Sequence, residues 1–248
     1  MTEKELKPFW NKYFLFDWKF GLFLIGIVCM PRFILVLQAN QTGNYGPIGA
    51  VMLVSALVPF VFLSRYGRRA IGIRPTRRLR TLLLSFILGV TISFLLYLIG
   101  YELYDSSSQN WYQYIGKSYN IPEVISANDK LVLFAIMAGT GMIFSPIGEE
   151  LFFRGIVQGS FAKSIGQKKA SLVDSLAFSL THIAHFGLVF VSGSWRFYHI
   201  PALLWVMGMF LVSLFFFKMK QRSGSLLGAI FGHAGFNLGM IWCIFYLP

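Results

Sequence analysis

Charge is scarce in this sequence: 13% of residues are Asp, Glu, Lys or Arg, where a soluble chain carries roughly a quarter. Acids are fewest, 10 against 22 bases in 248 residues, for a formal net charge of +12. Cysteine occurs only as Cys29 and Cys243, both inside apolar runs. That excludes a disulfide framework and a CxxC metal spacing. The first twenty residues mix acids, bases and aromatics and lack a short apolar core followed by small residues. No removable signal peptide is expected there, only an interfacial lead-in to a first span. Neither an internal repeat nor a low-complexity linker divides the chain, so residues 1–248 read as a single domain.

What fills the space is apolar. Hydrophobic residues make up 56% of the chain, with 26 Phe and 6 Trp. One soluble core of this size cannot hide so much, and the surplus must face lipid. A helix needs about 20 apolar residues to cross the hydrocarbon. Seven stretches qualify, near Phe20–Gln38, Gly46–Leu63, Thr81–Tyr101, Leu131–Phe161, Ser171–Val191, Pro201–Phe217 and Gly224–Leu247. The expected fold class is all-α, a polytopic membrane protein of seven or eight transmembrane helices.

The bases are unevenly placed. Seven arginines lie between Arg65 and Arg80, and Lys163, Lys168, Lys169, Lys218, Lys220 and Arg222 mark two later loops. With Lys4, Lys7, Lys12 and Lys19 this side holds 17 of the 22, against Lys117, Lys130 and Arg196 opposite. The positive-inside rule then puts the N-terminus in the cytoplasm and the C-terminus outside. On this reading the arginine run is a topology signal with some attraction to anionic lipid, and no nucleic acid is expected as a partner.

An ionisable group within a span costs at least about 2.5–3.5 kcal/mol, so each one needs a reason. Arg32 falls in the first span, Glu149, Glu150 and Arg154 in the fourth, His182 and His185 in the fifth, His233 and Asn237 in the seventh. Counted along helices from the basic loops at about 1.5 Å per residue, Glu149, His182 and His233 lie roughly 21, 20 and 17 Å deep. Three groups from three helices thus reach a similar level. Glu150 and Arg154 are an i,i+4 pair in the favourable order and can neutralise one another. Glu149 points about 100° away, without an obvious partner on its own helix. Phe178 and His182, and likewise His233 and Asn237, are also i,i+4 pairs, and nearby glycines permit close helix approach.

Glu149-Glu150-Leu151-Phe152-Phe153-Arg154 reads as EExxxR, Phe178 to His182 as FxxxH, and His233 to Asn237 as HxxxN. In this order, on separate apolar segments, they resemble the CAAX protease and bacteriocin-processing (Abi) family of intramembrane endopeptidases. The resemblance runs from about Leu131 to the C-terminus, which makes 131–248 the catalytic core and 1–130 a set of N-terminal helices. It implies that Glu149 is general base on a water held with His182, that His233 and Asn237 stabilise the oxyanion, and that Glu150, Arg154 and Phe178 support the site. The residues have that chemistry of their own accord: a carboxylate withdrawn from water is a stronger base, and ring and amide N–H groups are preorganised donors. No cofactor is expected. Zinc held by Glu149, His182 and His233 is the alternative, weakened by the lack of HExxH and by Asn237, a poor zinc ligand.

The expected partners are a membrane-associated peptide or protein substrate and the bilayer. The expected setting is the bacterial plasma membrane, with the cavity open to the cytoplasmic side. Two other classes compete: a transporter or proton relay, which lacks its inverted repeat here, and a non-catalytic scaffold or bacteriocin-immunity protein descended from the protease. Among the remaining polar groups, His185 reads as a hydrogen-bonded packing residue, His199 as interfacial, Asp174 as a helix-start acid and Arg32 as a snorkelling or cavity-lining side chain.

Overall fold

The computed structural model describes residues 4–247. Its helices start and stop where local chemistry requires. Asp17 caps α1 (Trp18–Thr42) by accepting from the Lys19 and Phe20 amides, and Gly43 ends it at φ 74°. After α2 (Gly46–Phe62), Ser64 caps the short α3 (Arg65–Ala70). Then come α4 (Leu79–Tyr104) and α5 (Trp111–Gly116), the latter capped by Asn110. The next helix, α6 (Ala127–Glu150), passes through a π-helical turn, Leu151–Val157, into α7 (Gln158–Thr181). At Gly166 the backbone takes φ 79° and ψ 161°, breaking this 55-residue run. A side chain is strained at that φ, which is why glycine stands there.

Beyond α7, strands β1 (Leu188–Val191) and β2 (Ser194–Phe197) pair antiparallel through a two-residue turn at Ser192 and Gly193, both with positive φ. Helices α8 (His199–Ser223) and α9 (Leu226–Tyr246) complete the chain. The fold is all-helical apart from this hairpin. The hairpin also corrects the fifth apolar stretch: helix ends at Thr181, and Leu188–Val191 is strand. Those four residues are apolar and partly β-branched, so their composition fits a strand as readily as a span. Among the described residues, five helical runs are long and apolar enough to cross a membrane: α1, α4, the 127–181 run, α8 and α9. With 17 residues, α2 is shorter and equally apolar.

At the centre, α9 packs against α4, α6 and α8. A Cβ at Gly235 would collide with the Phe86 carbonyl, and one at Gly89 with the Gly232 carbonyl, so α4 and α9 touch backbone to backbone. Phenylalanines fill much of this interior: Phe152, Phe153, Phe178, Phe186, Phe216 and Phe245 are essentially inaccessible.

The basic loops gather at one end. Lys7 N–H donates to the Phe62 carbonyl at 2.9 Å, Glu5 pairs with Lys163 at 2.7 Å, and Arg74 Nε donates to the Gly224 carbonyl at 2.6 Å. At the opposite end the Phe190 amide donates to Tyr114 Oη at 2.9 Å, and Ser108 bonds Tyr198 at 2.9 Å. The charge asymmetry of the sequence is therefore an asymmetry between two ends of the helix bundle.

Candidate active site

Two carboxylates close α6, and each has its own partners. Glu149 Oε1 receives Arg32 Nη2 at 3.0 Å and the Ser145 hydroxyl at 2.6 Å, while its Oε2 is buried with no partner. Arg32, following Pro31 in α1, is 4% exposed. It neither snorkels nor merely lines the cavity, since its charge is spent on Glu149. A bare guanidinium and a bare carboxylate at this depth would each be costly, and pairing makes both tolerable.

Glu150 anchors a second, separate cluster. Arg154 grips it with Nε and Nη2, as the i,i+4 spacing predicts, and His233 Nδ1 donates to Oε1 at 2.8 Å. The Arg154 guanidinium lies 4.2 Å from the Phe178 ring centroid and 5.2 Å from that of Phe216. Its Nη1 donates to Ser213 at 3.3 Å, and Ser213 donates to Ser175 at 2.8 Å. Every residue of the π turn is buried. An i→i+5 turn is wider than an α turn, and such turns recur at functional sites.

His182 stands just past the end of α7. Its Nδ1 donates to the Phe178 carbonyl at 2.8 Å, which leaves Nε2 as the free nitrogen. Its ring centroid lies 4.4 Å from that of Phe178 with the planes tilted at 41°, a contact made at the i,i+4 spacing. Trp205 Nε1 holds the His182 carbonyl at 3.1 Å. From α9, His233 stacks on Phe216 at 4.8 Å and 13°. Because its Nδ1 hydrogen is given to Glu150, Nε2 bears a proton only in the imidazolium form. Asn237, one turn on, donates from Nδ2 to the Gly141 carbonyl at 2.9 Å and keeps a second amide hydrogen.

A cavity of about 370 Å³ joins these groups. Glu149, His182, His233 and Asn237 all line it, together with Arg32, Phe178 and His185, while Glu150 and Arg154 sit behind the wall. The His185 ring packs 5.4 Å from that of His182. From this level the cavity runs to Tyr45, Ile115, Ser118 and Tyr119, at the end away from the basic loops. The expectation of an opening beside those loops is therefore corrected. Phe152, Phe153, Ile156 and Val157, each at most 1% exposed, lie on the basic-loop side of Glu149 and close that end.

Asp174 also departs from expectation. It lies within α7, fully buried, with neither carboxylate oxygen hydrogen-bonded, rather than at a helix start. Sequence reasoning missed Ser145 and Ser213 as residues of the site. Ser145 had a signal, its i−4 position to Glu149; Ser213 had none.

Zinc fits poorly. Among the described residues no three His, Cys, Asp or Glu side chains converge as a metal-binding group. Of the candidate ligands, Glu149 already shares one oxygen with a cation, Arg32. A second positive charge at that carboxylate would be repelled.

Residues 131–239 match the family model described as type II CAAX prenyl endopeptidase Rce1-like. The match begins at Leu131, where the resemblance read from the three motifs begins, and it spans all three. No curated protein and no solved structure gives a significant match to the chain. Over that segment the chain is similar to a peptidase family, and among the described residues it has several helices long and apolar enough to cross a membrane.

Proposed function

We propose that this chain is an intramembrane endopeptidase in which Glu149 and His182 activate a water and His233 with Asn237 forms the oxyanion hole. The observation that carries the reading is convergence. Four polar side chains from α6, the end of α7 and α9 line one otherwise largely apolar cavity, and they are the four to which the family resemblance gives chemical roles.

Each role follows from which atoms are free. Arg32 and Ser145 occupy Glu149 Oε1, so Oε2 is the oxygen that takes the proton from water. His182 is fixed through Nδ1, and its Nε2 lone pair accepts the second water hydrogen. As the water oxygen bonds to the scissile carbon, negative charge grows on the carbonyl oxygen. Asn237 Nδ2–H is one donor for it, and His233, oriented by its Nδ1 bond to Glu150, is the other when its ring carries both protons. Glu149 then passes its proton to the departing amine nitrogen as the C–N bond breaks. Glu150 and Arg154 touch no reacting atom and act by holding His233.

The membrane arrangement fits seven crossings: the 127–181 run counts as two about Gly166, and α2 adds one to the remaining four long helices. The proposed setting is a bacterial plasma membrane, with a membrane-associated peptide or protein as substrate and no cofactor.

One observation favours a zinc-dependent form of the same protease: both histidines are fixed through Nδ1 and present Nε2, the usual posture of metal-bound imidazoles. The Arg32 pairing argues against it. For the main reading, membrane peptides are incubated with purified protein in detergent, comparing wild type, Glu149→Gln and His182→Ala. Cleavage by wild type alone is expected. Full biological function of Glu149→Gln at normal expression would instead make the chain a scaffold.

A further inference from the structure

Glu149 closes α6 and His182 follows α7, so two groups that share one water stand on different elements. Such a pair works only if its spacing is held to within about 0.5 Å. The segment that carries His182 is not a helix. His185 N–H and Phe186 N–H both reach the His182 carbonyl, at 3.1 and 3.0 Å, and Leu188 N–H reaches that of Ile183 at 3.2 Å. Among the described residues the Ala184 carbonyl receives no backbone N–H; its donor is Asn40 Nδ2 of α1, at 2.7 Å. Ala184 is fully buried, so water does not replace that bond.

The Asn40 amide has one possible orientation. A carbonyl only accepts, so the nitrogen must face Ala184, and Oδ1 is left to accept the Tyr45 hydroxyl at 2.8 Å. Arg32, which holds Glu149 Oε1, precedes Asn40 by eight residues on the same helix, about 12 Å along its axis. One helix thus fixes both the carboxylate and the turn that bears His182. That helix is itself firmly seated: a Cβ on Gly21 would overlap Ser160 and the Phe161 ring, and the Trp18 amide donates to Ser164 Oγ at 3.2 Å. Trp205 steadies the His182 carbonyl from α8, but the partners of Glu149 lie on α1 and α6. The family match over 131–239 contains Glu149 and His182 and neither Arg32 nor Asn40.

We propose that Asn40 is a positioning residue: by holding the Ala184 carbonyl it sets His182 against Glu149, with α1 as the common template for both. The proposal rests on the protease reading for the reaction that this alignment serves, and on the hydrogen bonds alone for the alignment. Without the Asn40 donor the turn loses its tie to α1, the His182 Nδ1 bond to the Phe178 carbonyl loosens, and Nε2 no longer faces the carboxylate in a fixed posture.

The test uses the full-length chain in detergent with Asn40→Leu, which keeps the size of the side chain and removes its donor. Asn40→Ala takes its place if the leucine variant gives no monodisperse size-exclusion peak. Thr42→Ala is the control, removing an exposed hydroxyl bonded to the Gln38 carbonyl at 2.8 Å near the same helix end. With histidine labelled for nitrogen NMR, the His182 ring signals are identified by their loss in His182→Ala. In wild type and Thr42→Ala, Nδ1 is expected to carry the proton and Nε2 to be bare. In Asn40→Leu the two nitrogens are expected to exchange the proton and their shifts to converge. Cleavage by Asn40→Leu is expected to fall roughly tenfold to a hundredfold in kcat with KM little changed, as for a displaced reacting group. His182 signals identical with those of wild type would overturn the proposal, and so would a raised KM at unchanged kcat. The NMR readout needs no turnover, so absence of cleavage by wild type would count against the protease reading while the ring signals still decide the positioning role.

Discussion

Arg32 Nη2 lies 3.0 Å from Glu149 Oε1, joining the first long helix to a carboxylate 117 residues later. The pair ties the N-terminal helices to the segment that carries all three motifs. Glu149 would otherwise be an uncompensated charge in an apolar bundle. Breaking a buried pair from one side typically costs about 3–5 kcal/mol. Arg32→Gln is therefore expected to lower the Tm in detergent markedly, with Arg32→Lys intermediate because it keeps the charge and loses the fork. Thermal unfolding of the purified variants checks this; an unchanged Tm for Arg32→Gln would mean the pair contributes nothing.

Asn237→Ala removes one proposed oxyanion donor and leaves the base untouched. Loss of such a donor costs roughly 10²–10³ in kcat, with a much smaller effect on KM. His233→Ala is expected to lose at least as much, because it also strips Glu150 of a partner. Steady-state kinetics on one peptide substrate would distinguish this from a binding role, in which KM rises and kcat holds.

Ser213→Ala is expected to be mild. Its hydroxyl accepts one Arg154 hydrogen at 3.3 Å, whereas both Glu150 oxygens remain bound to the same guanidinium. A loss of about 1 kcal/mol in stability and less than tenfold in rate is the anticipated result. A hundredfold loss would show that Arg154 depends on Ser213 for its position.

Chelation separates the two forms of the mechanism. Activity is expected to survive dialysis against a strong zinc chelator, and elemental analysis of active protein to give far less than one metal per chain. Stoichiometric zinc, lost together with activity and restored with it, would establish the zinc-dependent form.

At the α4–α9 seam, Gly235→Leu should prevent correct assembly, since the new side chain would occupy the position of the Phe86 carbonyl. Overpacking of this kind costs about 1–3 kcal/mol where neighbours can shift, and backbone cannot easily shift. Loss of the monodisperse peak in size-exclusion chromatography is the readout.

The cluster of polar groups around the cavity was legible because its spacing is local. EExxxR, FxxxH and HxxxN each lie within one or two turns, and the depth estimate from the basic loops correctly aligned their helices. Helical spacing also foretold the Glu150–Arg154 grip and the Phe178–His182 contact. Arg32 was visible as an anomaly, but its partner was not, because nothing in a single sequence ties position 32 to position 149. The fifth stretch misled for another reason. Hydropathy does not distinguish Leu188–Val191 in a strand from the same residues in a span, and only Ser192-Gly193 hinted at a hairpin. The end reached by the cavity was misread because charge marks one end of the bundle and carries no information about which end is packed. Asp174 looked ordinary from its place in sequence; its isolation comes from neighbours on other helices.

The π turn has a consequence for length. From Leu151 to Val157 the helix carries one residue more than an α-helix would fit into the same rise. Deleting a single residue there would let the segment relax to α geometry with the helix beyond it kept near its present rotation, but a deletion between Glu150 and Arg154 would leave those two residues three apart instead of four. The grip of Arg154 on Glu150, which His233 shares, depends on that four-residue spacing inside EExxxR. This short segment is therefore intolerant of insertion or deletion in a way that its ordinary apolar composition conceals, and it sets the reading frame in which two adjacent glutamates serve different masters.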